Sequence, residues 1–285
     1  MLKPVLQHDA LLADIAAARG DTDAFHLWWL GQSGFLLHWR GKFALLDPYL
    51  SDSLTRKYAH TDKPHVRMTE LVVDPGRLDF IHVITSSHNH TDHLDGETLF
   101  ALWQANYPVE MIVPEANRQF AAKRMGVAPT SIRGLDAGES VEVQGFTFHA
   151  VPAAHEELER DLQGRHIYLG YVLQFGPWTV YHSGDTVLFP GMVETLRPFN
   201  IDVALLPING RAPERRVAGN LSGPEAAELA HDLGARCVIP CHYDMFEFNT
   251  ASPAEFVAAC QKLGQPFRVL QAGERWSSAQ LTAVF

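Results

Sequence analysis

The chain has 285 residues, 46% hydrophobic and 20% charged, which excludes disordered, collagen-like and coiled-coil proteins. Its 23 Lys and Arg against 33 Asp and Glu give a net charge of −10, so the basic footprint of a nucleic-acid binder is missing and no such partner is expected. Three cysteines, Cys237, Cys241 and Cys260, are too few and odd in number for a disulfide framework, and suit a reducing, cytoplasmic setting.

In chain order, the first segment places Leu6, Ala10, Leu11, Ile15 and Ala18 near helical spacing, which predicts an amphipathic helix. His8, Asp9 and Asp14 interrupt it, so it does not read as a signal peptide. No window holds about 18 consecutive apolar residues, and no membrane span or membrane partner is expected. Three strands follow, Trp28 to Leu30, Phe35 to Trp39 and Phe43 to Leu46. Turns at 31–34 and 40–42 make them antiparallel. Residues 51–76 read as a polar loop with a short helix. The apolar run Phe80 to Thr85 reads as a buried strand ending in a histidine-rich loop. Helices are expected over 96–104 and 114–125, with a short strand over 111–113 between them. Strands at 141–143, 146–151, 167–175 and 178–182 form a meander. The remainder alternates: strands at 203–206, 237–240 and 267–270, helices at 222–233 and 253–263. One domain over residues 1–285, two sheets covered by helices, fits this order.

The chemistry concentrates in His88-Asn89-His90-Thr91-Asp92-His93. His88 and His90 are two apart, so extended backbone points both the same way, and they can share one metal. Asp92 and His93 follow where the chain turns and can face a second. Four such side chains in one buried loop would be costly to desolvate without a metal. Three further ligand types each follow a predicted strand: His155 after 146–151, Asp185 after 178–181 and His242 after 237–240. Nitrogen and oxygen donors without thiolate suit zinc or manganese, with iron a further option.

In these residues, His88, His90, Asp92 and His93 followed in order by His155, Asp185 and His242, the chain resembles the metallo-β-lactamase superfamily. The segments Trp29 to Phe35, Asp47 to Ser53, Pro207 to Arg211 and His242 to Asp244 are similar to its L-ascorbate-6-phosphate lactonase branch, itself related to N-acyl-phosphatidylethanolamine phospholipase D. The resemblance implies an α/β (α+β) fold, a four-layer αββα sandwich. It implies two divalent ions, the first held by His88, His90 and His155, the second by Asp92, His93 and His242, with Asp185 bridging. A hydroxide between the metals would be the nucleophile. Asp92 would orient it or shuttle its proton.

Other residues have two readings each. Asp95 either accepts a hydrogen bond from a ligand histidine or caps the helix beginning at Gly96. Arg211 with Asn209 either clamps a carboxylate or phosphate near the metals or lies in a charged surface loop. The basic stretch 56–67 either attracts an anionic substrate as a lid or is a solvated loop, and His65 is its residue to test first. His182, Cys241 and the tryptophans 28, 29 and 39 read as packing residues. The expected function is hydrolysis of a small anionic lactone or ester. Phosphodiester or phospholipase D-like cleavage is the alternative, and a non-catalytic metal-binding protein the alternative of another class. A homo-oligomer is compatible with this size, with no interface signal in the sequence.

Overall fold

The computed structural model describes residues 1–281, so residues 282–285 of the expected domain lie outside the described residues. The opening helix is α1 (His8–Ala18), followed by β1 (His26–Gly31), β2 (Gly34–Trp39) and β3 (Lys42–Leu46). These three strands pair antiparallel in sequence order. β4 (Val83–Thr85), β5 (Glu110–Pro114) and β6 (Arg133–Leu135) then add parallel to one another and to β3. α2 (Ser53–Tyr58) lies in the expected loop before β4, while α3 (Gly96–Asn106) and α4 (Arg118–Met125) connect β4 to β5 and β5 to β6.

This first sheet is buried on both faces, and its sequence shows why. Leu27, Trp29, Phe35, Leu37, Ala44 and Leu46 belong to one hydrophobic cluster. Their neighbours Trp28, Leu30, Leu36, Phe43 and Leu45 belong to another, with Leu11 and Ile15 of α1, Leu99 and Leu102 of α3 and Met125 of α4. Successive strand residues point to opposite faces, so one face meets helices and the other meets a second sheet.

The second sheet begins with the antiparallel meander β7 (Ser140–Val143), β8 (Phe146–Pro152), β9 (Leu169–Phe175) and β10 (Trp178–His182). β11 (Val203–Pro207) and β12 (Cys237–Cys241) extend it in parallel with β10. Phe148, Val172 and Val180 share a cluster with the inner residues of the first sheet. α5 (Met192–Leu196), α6 (Gly223–Leu233) and α7 (Ala254–Leu263) contribute Leu196, Leu229 and Phe256 to the same cluster. The architecture is the expected αββα arrangement, with two mixed sheets and helices outside. Ser222 caps the N-terminus of α6 in a reciprocal pair with Glu225, a local start signal that the sequence makes visible.

Three expectations need correction. Phe80 to His82 lie outside β4, whose pairing with β3 begins at Ala44 opposite Val83. The strand expected over 267–270 does not form: Phe267 makes one isolated bridge to Val238. The chain instead crosses to the first sheet, where β13 (Arg275–Ser277) pairs with β1. Phe267 and Leu270 still pack on the core, so their apolar character reports burial and not pairing. The short elements β6 and α5 were not expected from the sequence, being too brief for a periodic signal.

Candidate metal centre

β8 and β10 are both antiparallel to β9, and β10, β11 and β12 are mutually parallel. The C-terminal ends of β8, β10 and β12 therefore lie at one edge of the second sheet, and just past them come His155, Asp185 and His242. The loop after β4 brings His88, His90, Asp92 and His93 from the first sheet to the same edge. Topology thus gathers all seven candidate ligands, separated by up to 154 positions in sequence (242 − 88).

They form two groups. His88, His90 and His155 place ligand-type atoms within 4.8 Å of one another, and so do Asp92, His93, Asp185 and His242. Asp185 faces both: Oδ2 is 3.6 Å from His155 Nε2 and 3.4 Å from His242 Nε2, and Oδ1 is 3.2 Å from His93 Nε2. His88 Nε2, His93 Nε2 and Asp185 Oδ1 are buried without a hydrogen-bond partner. Buried polar atoms normally have partners, and orphaned ligand atoms converging on one place fit divalent cations.

The outer atoms of these ligands are held. His93 Nδ1 lies 2.7 Å from a carboxylate oxygen of Asp47. Asp47 also accepts from the Ser87 amide and hydroxyl. It is fully buried and sits at the end of β3 with φ 41°. His155 Nδ1 meets the Gly219 carbonyl at 2.8 Å, and His88 Nδ1 meets Ser87 Oγ at 3.0 Å. Such contacts fix the ring and its tautomer so that the other nitrogen faces a metal. Gln32, in the β1–β2 turn, donates to Asp92 Oδ2 at 2.8 Å and lies 3.0 Å from His242 Nε2. Its carbonyl accepts the His242 amide. His242 adopts φ 64°, a conformation rare outside glycine that the surrounding structure must impose.

Electrostatics follow from crowding. Burial lowers His88 and His90 below the usual imidazole value. Burial also works against charged His93 and His242, but Asp185 and Asp92 beside them outweigh it. His93 is raised well above its ordinary value and His242 to about 9. Burial opposes ionised Asp92 and Asp185 too, yet the neighbouring His93 and His242 hold both carboxylates well below their usual range. In the metal-free chain these imidazoles and carboxylates favour each other's charged forms, a role cations would take over on binding.

Above the ligands opens a cavity of about 480 Å³ lined by His90, Asp92, His155, Asp185 and His242. His65 stands in its wall, stacked on Tyr58 at 4.5 Å, with Nδ1 held at 2.9 Å from the Lys63 carbonyl. Asn209 is buried away from that wall. Its side chain donates to Asn249 Oδ1 and accepts from Asn220, each at 3.0 Å. With Arg215, which donates to the Asn209 carbonyl at 2.7 Å, it pins the loop carrying Gly219. Arg211 is not brought to the cavity; it pairs with Glu225 at the start of α6. Asp95 caps α3, accepting from Thr98 N at 3.0 Å and from Ser53 Oγ at 2.8 Å. Among the described residues, no hydrogen bond joins it to a histidine. Asp47, Gln32 and Arg124 carry functional contacts that sequence reasoning missed. Gln32 and Asp47 stand in the segments that carry the family resemblance, without a role read for either, and Arg124 had only a basic helix end to mark it.

No helix among the described residues is long and apolar enough to cross a membrane. A family model described as beta-lactamase superfamily domain matches residues 44–243. A UPF0173 metal-dependent hydrolase of Caldivirga maquilingensis is 31% identical over 245 residues, covering 86% of this chain and 93% of the relative. One from Myxococcus xanthus is 29% identical over 270 residues, covering 92% and 84%. Among solved structures, an isothiocyanate hydrolase from Delia radicum gut bacteria superposes with a TM-score of 0.69 at 21% identity. It covers 88% of this chain and 98% of its own, a likeness of fold.

Proposed function

The chain belongs to the metallo-β-lactamase superfamily, within the UPF0173 metal-dependent hydrolase family, and on that premise we propose that it hydrolyses a small anionic lactone or ester at a two-metal site. The observation that carries this is two ligand groups beneath one open cavity, with Asp185 a member of one and 3.6 Å from His155 of the other. His88, His90 and His155 would hold one ion, Asp92, His93 and His242 the other, and Asp185 would touch both. Divalent zinc or manganese, or iron with the same donors, supplies Lewis acidity when bound and lowers the pKa of water from 15.7 toward about 7.

The chain's own residues do the rest. Gln32 fixes Asp92 through Oδ2, which leaves Oδ1 to accept a proton from attacking water. Asp47 holds His93, and the Gly219 carbonyl holds His155, so the ligand set is oriented before substrate enters. His65 and Tyr58 form a flat wall for the substrate body. Lactone opening is the first reaction to test, from the resemblance to the L-ascorbate-6-phosphate lactonase branch. Phosphodiester cleavage is the second, favoured by Lys57, Lys63 and Arg124, which line the same cavity.

The test is metal analysis of protein purified without chelator, beside a screen of lactones, phosphodiesters and phosphomonoesters. We expect about two ions per chain and turnover of one class that His90→Ala abolishes. One ion would leave hydrolysis standing without the bridging role of Asp185. No ion after reconstitution, and no turnover with zinc, manganese or iron, would support a non-catalytic metal-fold protein instead.

A further inference from the structure

Although the chain carries ten more acidic than basic groups, the cavity over the candidate metal site is lined by Lys57, Lys63 and Arg124. Among the described residues Asp92 and Asp185 are its only lining carboxylates, and both belong to one of the candidate ligand groups. Two of the cations are mounted on the metal loop itself. Arg124, from the last turn of α4, donates from Nη1 to the carbonyls of Asn89 at 2.8 Å and Leu94 at 2.9 Å. Its guanidinium also lies 4.4 Å from the Phe120 ring centre. Those three contacts fix the plane of the group. Among the described residues its Nε and Nη2 have no hydrogen-bond acceptor, and neither is a buried orphan. Lys57, at the end of α2, reaches Thr91 Oγ1 at 3.2 Å. The two cations thus bracket residues 89–91, immediately beside the ligands His90 and Asp92.

We infer that Arg124 and Lys57 read an anionic group, a carboxylate or phosphate, placed on the substrate one arm away from the bond that is cleaved. This rests on the proposed hydrolase function and adds to it the residues that select the substrate. A pre-oriented guanidinium loses little freedom when it meets a carboxylate or phosphate, and its free edge offers two parallel donors. Lys57 supplies a second, movable charge. An anion seated there leaves the substrate's other end over the metals. Arg124, not Arg211, is the arginine positioned for that contact. Lys63 is tied to the Arg216 carbonyl and borders the cavity as a more distant charge.

The experiment measures binding, so it does not depend on turnover. Zinc-loaded full-length protein is titrated calorimetrically with glutarate, which has two carboxylates, and with butyrate, which has one. One carboxylate can meet the zinc, and only glutarate has another for the cations. Glutarate is expected to bind about tenfold tighter or more, as one additional charge-assisted contact allows. Lys57→Ala and Arg124→Lys should each lower that ratio severalfold toward one, and added salt should lower it in the wild type. Were Arg124 merely a brace for the metal loop, its substitution would weaken both ligands together and leave the ratio unchanged, which overturns its assignment. A wild-type ratio near one, or a ratio indifferent to both substitutions, overturns the inference. A wild-type ratio near one with ester turnover intact defeats this inference alone. A preserved ratio without turnover of any class defeats the hydrolase reading alone.

Discussion

Asp47 shows how much of this site is decided by one side chain beyond the seven candidate ligands, one whose carboxylate also converges with His88 and His93. It is fully buried and accepts from the Ser87 amide at 3.0 Å while standing 2.7 Å from His93 Nδ1. A buried carboxylate with two such partners keeps His93 in the tautomer that leaves Nε2 free for a metal. Asp47→Asn preserves the shape and removes the charge. We expect metal affinity at the His93 group to fall about 10- to 100-fold, measured by competition with a chromophoric chelator. Unchanged affinity would mean that the loop alone orients His93. His38 makes a different kind of residue-scale statement. It is buried in β2, accepts the Gly41 amide at Nε2, and packs near Phe43 and the imidazole of His26. Burial and the nearby His26, opposed by Asp21 and a hydrogen bond to the Arg19 backbone, lower it from 6.5 to about 4. The unfolded chain binds a proton below about pH 6.5 that the folded chain refuses until about pH 4. Stability from this group is therefore complete above that window and declines as pH falls through it. Urea midpoints between pH 7 and pH 5 should drop less in His38→Gln, whose side chain can still accept from Gly41.

At the scale of elements, the site depends on two loops from different sheets touching closely. Gly184 follows β10 with φ +61°, and a Cβ there would lie 2.5 Å from Ser87 Cβ in the loop after β4. Ser87 is the residue that ties Asp47 to the loop, so the clash would be felt at His88 and His93. Gly184→Ala is expected to cost about 1–3 kcal/mol through overpacking and to reduce bound metal per chain. Chemical denaturation with metal analysis of the same preparation checks both; full metal occupancy at reduced stability would show that the loops can separate without disturbing the ligands. The loop between β11 and α6 acts similarly at longer range. Asn209, Asn220, Asn249 and Arg215 lock it, and its Gly219 carbonyl holds His155.

On the scale of the whole molecule, charge is distributed unevenly. The net charge of −10 keeps the surface acidic, while the cavity gathers Lys57, Lys63 and Arg124 beside two carboxylates that metal ions would neutralise. A local cationic funnel in an acidic protein attracts small anions and repels large polyanions. Turnover of an anionic ester should therefore slow with rising ionic strength through KM, while a neutral ester of the same shape should respond weakly. Equal salt dependence for both esters would show that the funnel plays no part. The two sheets contribute unequally: the loop after β4 of the first supplies four candidate ligands and the second supplies three separated ones, so the site is assembled only when the sheets pack.

The sequence by itself determined the ligand types, their order and most strands and helices. A run such as His88 to His93 is dense enough to carry its own chemistry, and the near-continuous apolar runs along 26–46 fit strands buried on both faces. Caps such as Ser222 with Glu225 are local and equally legible. Tertiary structure alone decided which outer groups orient the ligands. Asp47 lies 46 residues from His93 and Gln32 lies 210 from His242, and no local pattern encodes such encounters. It also decided that Arg211 turns to Glu225 while Arg124 turns to the metal loop, since both are ordinary charges until packing selects their partners. The strand expected at 267–270 was lost to β13 for the same reason. Apolar character tells that a segment is buried, whereas pairing depends on which sheet edge the folded chain reaches.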